Sequence, residues 1–179
     1  MKRIAALFLT LATAVPALAQ WAEPKAPAVP TADGYVTIPH VAVPPEKTRT
    51  YRAVWDATKA AAKPAELVPA LNNAGSELNA FAVAGVPPKN VKFVVVFHGP
   101  AVDGILNEAT YKAKFGVPNP NLPVLAQMKK AGVKLYVCGQ HLAFSNIDPK
   151  TIAGDVTVAS DALIVLMTYE NQGYALLSF

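Results

Sequence analysis

Cysteine and histidine are scarce in this 179-residue chain, which has one cysteine and three histidines. A single cysteine excludes a disulfide within the chain, so the Cys138 thiol is buried and inert, paired with another molecule, or reactive. His98, Cys138 and His141 have side chains that suit zinc or copper, but they lack the close paired spacing of structural metal sites. The sequence therefore predicts no metal and no cofactor.

An excess of charge of one sign is also absent. Without residues 1–19 the chain has fourteen basic and twelve acidic residues, with no run of like charge. This balance argues against a nucleic-acid partner or an anionic membrane surface. Long apolar runs are missing too, because the most apolar stretch after the first nineteen residues, 162–169, is bounded by Asp161 and Glu170. We expect no membrane span in the mature chain.

The first nineteen residues have the pattern of an export signal. Lys2 and Arg3 precede the apolar stretch IAALFLTLATAV, and residues 17–19 (ALA) offer small side chains for cleavage. We predict a signal peptide at residues 1–19 and a periplasmic mature protein. An uncleaved membrane anchor is the alternative interpretation.

Prolines are concentrated just after the predicted cleavage site. Six of them fall within residues 21–50, and proline fixes φ and lacks an amide donor. We predict a proline-rich N-terminal arm at residues 20–49 that is ordered by Trp21, Tyr35 and Val36 and lies on the domain or reaches a neighbour. A single domain then covers residues 50–179.

Apolar segments of this domain alternate between strand and helix patterns. We predict strands at residues 51–58, 91–99, 133–138, 155–159 and 174–179. Helices are predicted within 65–84, at 100–107, at 119–130, just after residue 138, and at 161–172 with Ser160 as its cap. Residues 109–121 are either a loop or a helical turn. Because two strands are almost uniformly apolar, the pattern predicts an α/β fold with a mostly parallel sheet and helices on both faces.

Polar and reactive side chains follow two of these strands. His98 ends the strand at 91–99, Cys138 ends the strand at 133–138, and ligands of open α/β sheets bind at the carboxyl ends of strands. If these strands are neighbours, His98, Gly99, Gly139, Gln140 and His141 share a crevice with Cys138. The positive end of a helix beginning at Gly139 would favour the thiolate form of Cys138. An inert buried cysteine at a strand end remains the alternative.

Three stretches resemble the DsrE/DsrF-like sulfur-relay family: NVKFVVVFHG, YKAKFGVPNPNLPVLAQMKKAGVKLYVCGQHLA and SDALIVLMTYENQGYALL. The likeness covers most of residues 50–179, and YVCGQ is its most specific part. The resemblance implies a flavodoxin-like three-layer sandwich and assembly into homotrimers or larger homo-oligomers.

The resemblance also implies a role for the cysteine. In the relay members, a cysteine at this strand end accepts sulfur as a persulfide and transfers it, and that role falls here on Cys138. His98, Gly99, Gly139 and Gln140 fit the neighbouring pattern. The relay members are cytosolic, whereas this chain has a predicted export signal.

Two functions follow as hypotheses. The first is an exported persulfide carrier, at most sulfurtransferase-like, with a sulfur-donor or acceptor protein as partner. The second is a non-catalytic oligomeric module for small-ligand binding or assembly.

Overall fold

The computed structural model describes residues 21–179. The predicted signal peptide and its cleavage site at residues 19–20 lie outside the described residues, so the structure does not test them.

The domain is built on one five-stranded sheet. Its strands are β1 (Tyr51–Ala57), β2 (Val91–Phe97), β3 (Lys134–Cys138), β4 (Thr157–Ala159) and β5 (Ala175–Ser178). Their order is β4-β3-β2-β1-β5, and every neighbouring pair is parallel. The predicted α/β fold with a mostly parallel sheet is confirmed.

Five α-helices accompany the sheet. They are α1 (Pro69–Val83), α2 (Glu108–Phe115), α3 (Leu122–Lys130), α4 (Gly139–Phe144) and α5 (Ala162–Glu170). Within residues 21–179, none of the helices is long and apolar enough to cross a bilayer.

Two local details differ from the sequence predictions, and a third decides between two alternatives. The segment predicted as a short helix at 100–107 is a 3-10 turn, Gly99–Ile105. Residues 109–121, predicted as either a loop or a helical turn, include most of α2, and this helix ends at Gly116, which has a φ of 76°. The cap of α5 is Asp161, whose carboxylate accepts the N–H groups of Leu163 and Ile164. The Ser160 prediction is wrong because a carboxylate one position later reaches both free amides.

The two faces of the sheet carry different helices. The connections β1–β2, β2–β3 and β3–β4 all run in one direction, whereas β4–β5 returns across the sheet to pair with β1. Because parallel crossovers are right-handed, reversing the direction moves the connecting helix to the opposite face. Accordingly, residues of α1, α3 and α4 join the larger core with Trp55 and Phe97, and residues of α5 join a smaller core with Val54 and Val96.

The proline-rich arm packs on α1 of its own domain. Val29 and Ala32 are buried against that helix, and a single antiparallel bridge joins Lys25 to Tyr35. Trp21, by contrast, is 61% exposed. Burial of small apolar side chains, not of Trp21, therefore anchors the arm.

Candidate functional site

Cys138 lies where the sheet changes the direction of its connections. It is the last residue of β3, and the chain continues from it into α4 on one face. The neighbouring strand β4 continues into α5 on the opposite face. Such a topological switch point, at the carboxyl ends of adjacent parallel strands, is where open α/β sheets bind their ligands.

The surroundings of the Cys138 thiol are mostly apolar. The residue is 6% exposed and belongs to the smaller core together with Val96 and Leu166. Its Sγ also caps α4, because it accepts the backbone N–H of His141 at 3.4 Å. The sulfur is thus held by one hydrogen bond at the amino-terminal end of a short helix, and the residue is buried.

A row of polar side chains crosses the same edge of the sheet. Asp56 Oδ1 lies 2.6 Å from His98 Nε2, and Asp56 Oδ2 accepts a 3.3 Å hydrogen bond from Ser178 Oγ. Since a carboxylate can only accept, Nε2 carries the hydrogen of the first contact. Ser178, Asp56 and His98, from β5, β1 and the residue after β2, form what we call the polar row.

The polar row and the thiol share one face. Val54 and Val96 point into the smaller core, and side chains alternate along a strand, so Asp56 and His98 lie on that face too. Phe97 pairs with Val137, and continuing this register by one residue sets His98 opposite Cys138. The imidazole of His98 contacts Asp56 on β1. In the sheet, β1 lies on the opposite side of β2 from β3, the strand that carries Cys138.

Tyr136 precedes Cys138 by two residues and packs against the same smaller core. Its hydroxyl lies 3.4 Å from that of Tyr169 on α5. The hydrogen bond to Tyr169, followed by burial, raises the pKa of Tyr136 above its ordinary value, and Lys134 lowers it by a smaller amount. Tyr136 therefore holds its proton more tightly at the point where α5 packs against β3.

Gly139 serves the packing of β4. A Cβ on this residue would lie 2.6 Å from the carbonyl oxygen of Ala159. The next residue, Gln140, has an exposed side chain, and its N–H donates to the carbonyl of Ser160 at 3.2 Å. The backbone beside Cys138 thus faces the end of β4, and that contact leaves no space for a ligand at Gly139.

The sequence-predicted crevice residues do not all meet in one place. Gly99 and His141 line a shallow pocket of about 470 Å³ with Val102, Ile147 and others. A Lys114–Asp103 ion pair also lines this pocket. Cys138, His98, Gly139 and Gln140 do not line it. The thiol with the polar row, and the pocket with His141, are separate features of the same sheet edge.

Potential metal ligands are not clustered either. In the part of the chain that the structure describes, no group of three or more His, Cys, Asp or Glu side chains could hold a metal ion. His98, Cys138 and His141 thus do not converge as a ligand set.

Sequence reasoning missed Asp56 and Ser178. One signal was available for Asp56, which is an acidic residue next to the end of an otherwise apolar strand. Asp56 can contact His98 because β2 is a neighbour of β1 in the sheet. It can contact Ser178 because β5 is the other neighbour of β1. Strand order is not readable from local pattern.

A parallel α/β sandwich with a single cysteine at its switch point defines the class of this protein. The sequence model of the DsrE/DsrF-like family matches residues 52–179. The chain therefore belongs to the DsrE/DsrF-like family, and the arm lies outside the matched region.

Two solved structures are similar in fold. The YchN protein from E. coli aligns with a TM-score of 0.51 at 16% identity, over 73% of this chain and 100% of YchN. The protein of unknown function MTH1491 from Methanobacterium thermoautotrophicum aligns with a TM-score of 0.48 at 16% identity, over 72% of this chain and 99% of that one. None of the curated proteins compared with the chain matches it. The likeness to YchN supports the flavodoxin-like fold.

Proposed function

We propose that this protein is an exported persulfide carrier of the DsrE-like type, with Cys138 as its only sulfur-accepting residue. The observation that carries the proposal is the place of Cys138 in a member of this family: the carboxyl end of β3, at the switch point, with its sulfur capping α4. The backbone N–H of His141 is directed at this sulfur.

The transfer step balances without any further reagent. The Cys138 thiolate attacks the terminal sulfur of a donor persulfide, RS–SH, and a new S–S bond forms while the donor S–S bond breaks. The products are the Cys138 persulfide and the donor thiolate RS⁻. An acceptor thiolate later removes the sulfur by the same exchange. With one cysteine per chain, the protein cannot release the sulfur through an internal disulfide.

The low exposure of Cys138 limits the donor. A small persulfide or polysulfide anion needs less rearrangement to reach the buried Sγ than a thiol on a folded partner, which requires movement of α4 or of the α5 amino terminus. The polar row reaches this edge of the sheet through His98, which follows β2, the strand next to β3.

Mass spectrometry of the intact protein tests the carrier function. After treatment with glutathione persulfide, the wild type gains about 32 Da, one sulfur atom, and Cys138→Ser gains nothing. His98→Ala keeps the mass gain but slows its appearance if the polar row assists entry. A wild type that gains no mass, under conditions that convert a small reference thiol, contradicts the proposal.

One observation favours the second candidate, an oligomeric assembly module without chemistry. Three large apolar side chains on α5, namely Leu163, Ile164 and Met167, are each more than half exposed. We call them the outer face of α5. A helix that is apolar on all sides is typical of a buried position, so we propose that a second copy of the chain covers this face. A Cys138→Ser protein with full cellular function supports this candidate over the carrier.

Export is part of the proposal as well. The apolar stretch within residues 1–19 with small residues at 17–19 supports a cleaved signal and a periplasmic protein. Cell fractionation together with N-terminal sequencing tests it, and a mature protein beginning at Gln20 is expected. An intact Met1 terminus on cytoplasmic protein contradicts it.

A further inference from the structure

A second cavity, of about 470 Å³, lies between the arm and the domain. It is near Val91, the first residue of β2, and so at the edge of the sheet opposite Cys138. Its volume is within the range of small-molecule sites. Apolar residues from the arm, α1, the loop that follows α1 and the start of β2 make up most of its wall, including Pro27, Pro30, Phe81, Ala82, Val86 and Val91. We call it the arm cavity.

Two polar side chains line the arm cavity, and one of them is charged. Gln127 and Lys130, both on α3, are the polar residues that line it, and no acidic residue does. Both amide atoms of Gln127 are already bonded to Thr31, at 2.8 and 3.1 Å. Lys130 has an exposed side chain and forms no salt bridge with the described residues. One unneutralised positive charge therefore stands at the rim of an apolar cavity.

The wall supplied by the arm is held rigidly in place. Asn79, which is fully buried on α1, accepts the N–H groups of Ala28 and Val29 and donates to the carbonyls of Val29 and Asp33. All four hydrogen-bonding positions of its amide are thus used by the arm. A cavity whose walls are fixed before binding costs little ordering of the protein when a ligand enters.

We propose that the arm cavity is a binding site for a small apolar molecule with one negative charge, such as a medium-chain carboxylate. The apolar part lies between the arm and α1, and the carboxylate contacts Lys130. Shape and charge both argue for this class: the walls offer apolar area to a hydrocarbon, and the one free charge is positive. The site is independent of Cys138 and of sulfur transfer.

Calorimetric titration of the mature protein with octanoate and with octanol tests the proposal. These probes share a hydrocarbon chain and differ in charge. We expect saturable binding of octanoate at one site, about fivefold tighter than that of octanol, as one partly exposed ion pair provides. Absence of saturable octanoate binding, or equal affinity for the two probes, contradicts the proposal.

Two variants and a control locate the site. Lys130→Ala weakens octanoate about fivefold and leaves octanol unchanged, whereas Lys112→Ala, an exposed lysine of α2 outside the cavity, changes neither. Ala82→Phe fills the cavity and removes binding of both probes, with an unchanged circular dichroism spectrum as the check on folding. Changes in the amide chemical shifts of the wild type in NMR spectra, on addition of octanoate, locate the site without any variant. Shifts at Ala28 and Ala82 support the site, and shifts confined to α5 contradict it.

Discussion

At the scale of single residues, Asn79 determines whether the arm stays on the domain. Replacing it with alanine removes four hydrogen bonds and leaves one buried and one partly buried N–H group of the arm without partners. We expect Asn79→Ala to lower the free energy of unfolding by about 3 kcal/mol and to speed tryptic cleavage after Lys25. Urea unfolding and timed proteolysis measure these effects.

Asn72 provides the matched control for Asn79. It also bonds the arm, through Asp33, but at an exposed position, where water replaces the lost bonds. Asn72→Ala should cost less than about 1 kcal/mol. Equal losses in the two variants would show that burial of Asn79 is not what holds the arm.

Gly139 makes a separate residue-scale prediction. Gly139→Ala places a Cβ 2.6 Å from the Ala159 carbonyl oxygen, which is backbone and cannot move aside cheaply. We expect a loss of about 2 kcal/mol in thermal or urea unfolding. Gly154→Ala, where nothing lies within 4 Å of the added Cβ, is the control and should change little. If Gly139→Ala is as stable as the control, the proposed packing role is wrong.

Tyr136 gives the stability of the protein a dependence on alkaline pH. The pKa of Tyr136 is raised in the folded protein, so the folded state holds this proton more tightly than the unfolded state does. Its contribution is complete below about pH 10, the ordinary tyrosine pKa, and is lost as pH rises through the folded-state pKa. Tyr136→Phe should therefore lose less stability above about pH 10 than the wild type. Urea unfolding over a pH series measures this, and parallel curves for the two proteins would refute it.

At the scale of elements, the fit between α1 and the arm depends on Gly75. An added Cβ there would lie 2.5 Å from Cβ of Ala32 and 3.2 Å from Val29 Cγ1. Alanine gains helix propensity over glycine, by up to about 1 kcal/mol, but overpacking costs about 1–3 kcal/mol. Gly75→Ala should thus destabilise the protein by about 1 kcal/mol in urea unfolding.

A second substitution separates this clash from other effects. Ala32→Gly removes the atom that the new Cβ meets, so the double variant Gly75→Ala/Ala32→Gly should recover part of the lost stability. A double variant whose losses simply add would show that the helix and the arm are not in contact at this point.

The helices and strands themselves were largely predictable. All five strands lie where apolar runs were bounded by glycine, proline or polar residues, because local periodicity and burial act on neighbouring residues. Asn107 caps α2, because its carboxamide accepts the N–H of Thr110. The sequence did not indicate this cap, because the apolar pattern of the segment is weak. Caps and short helices depend on a single hydrogen bond, which periodicity does not report.

At the scale of the whole molecule, the outer face of α5 leads to a prediction about the oligomeric state. Ile164→Glu places a charge in the centre of that face, and we expect it to convert a homo-oligomer to monomers, because a buried unpaired charge is costly. Sedimentation velocity measures the mass. Val43→Glu, at a 90% exposed arm position, is the matched control and should keep the assembly. A wild type that is monomeric, or an oligomer that survives Ile164→Glu, contradicts the proposed interface.

The sequence by itself determined the α/β class, the strand and helix segments and the position of Cys138 at a carboxyl edge, because each follows from composition and local periodicity. Only the tertiary structure decided the strand order, and with it the Asp56–His98 contact, the 6% exposure of Cys138 and the seating of the arm on Asn79. These features join residues more than forty positions apart. They arise from how sheet and helices pack against one another, which no local pattern encodes.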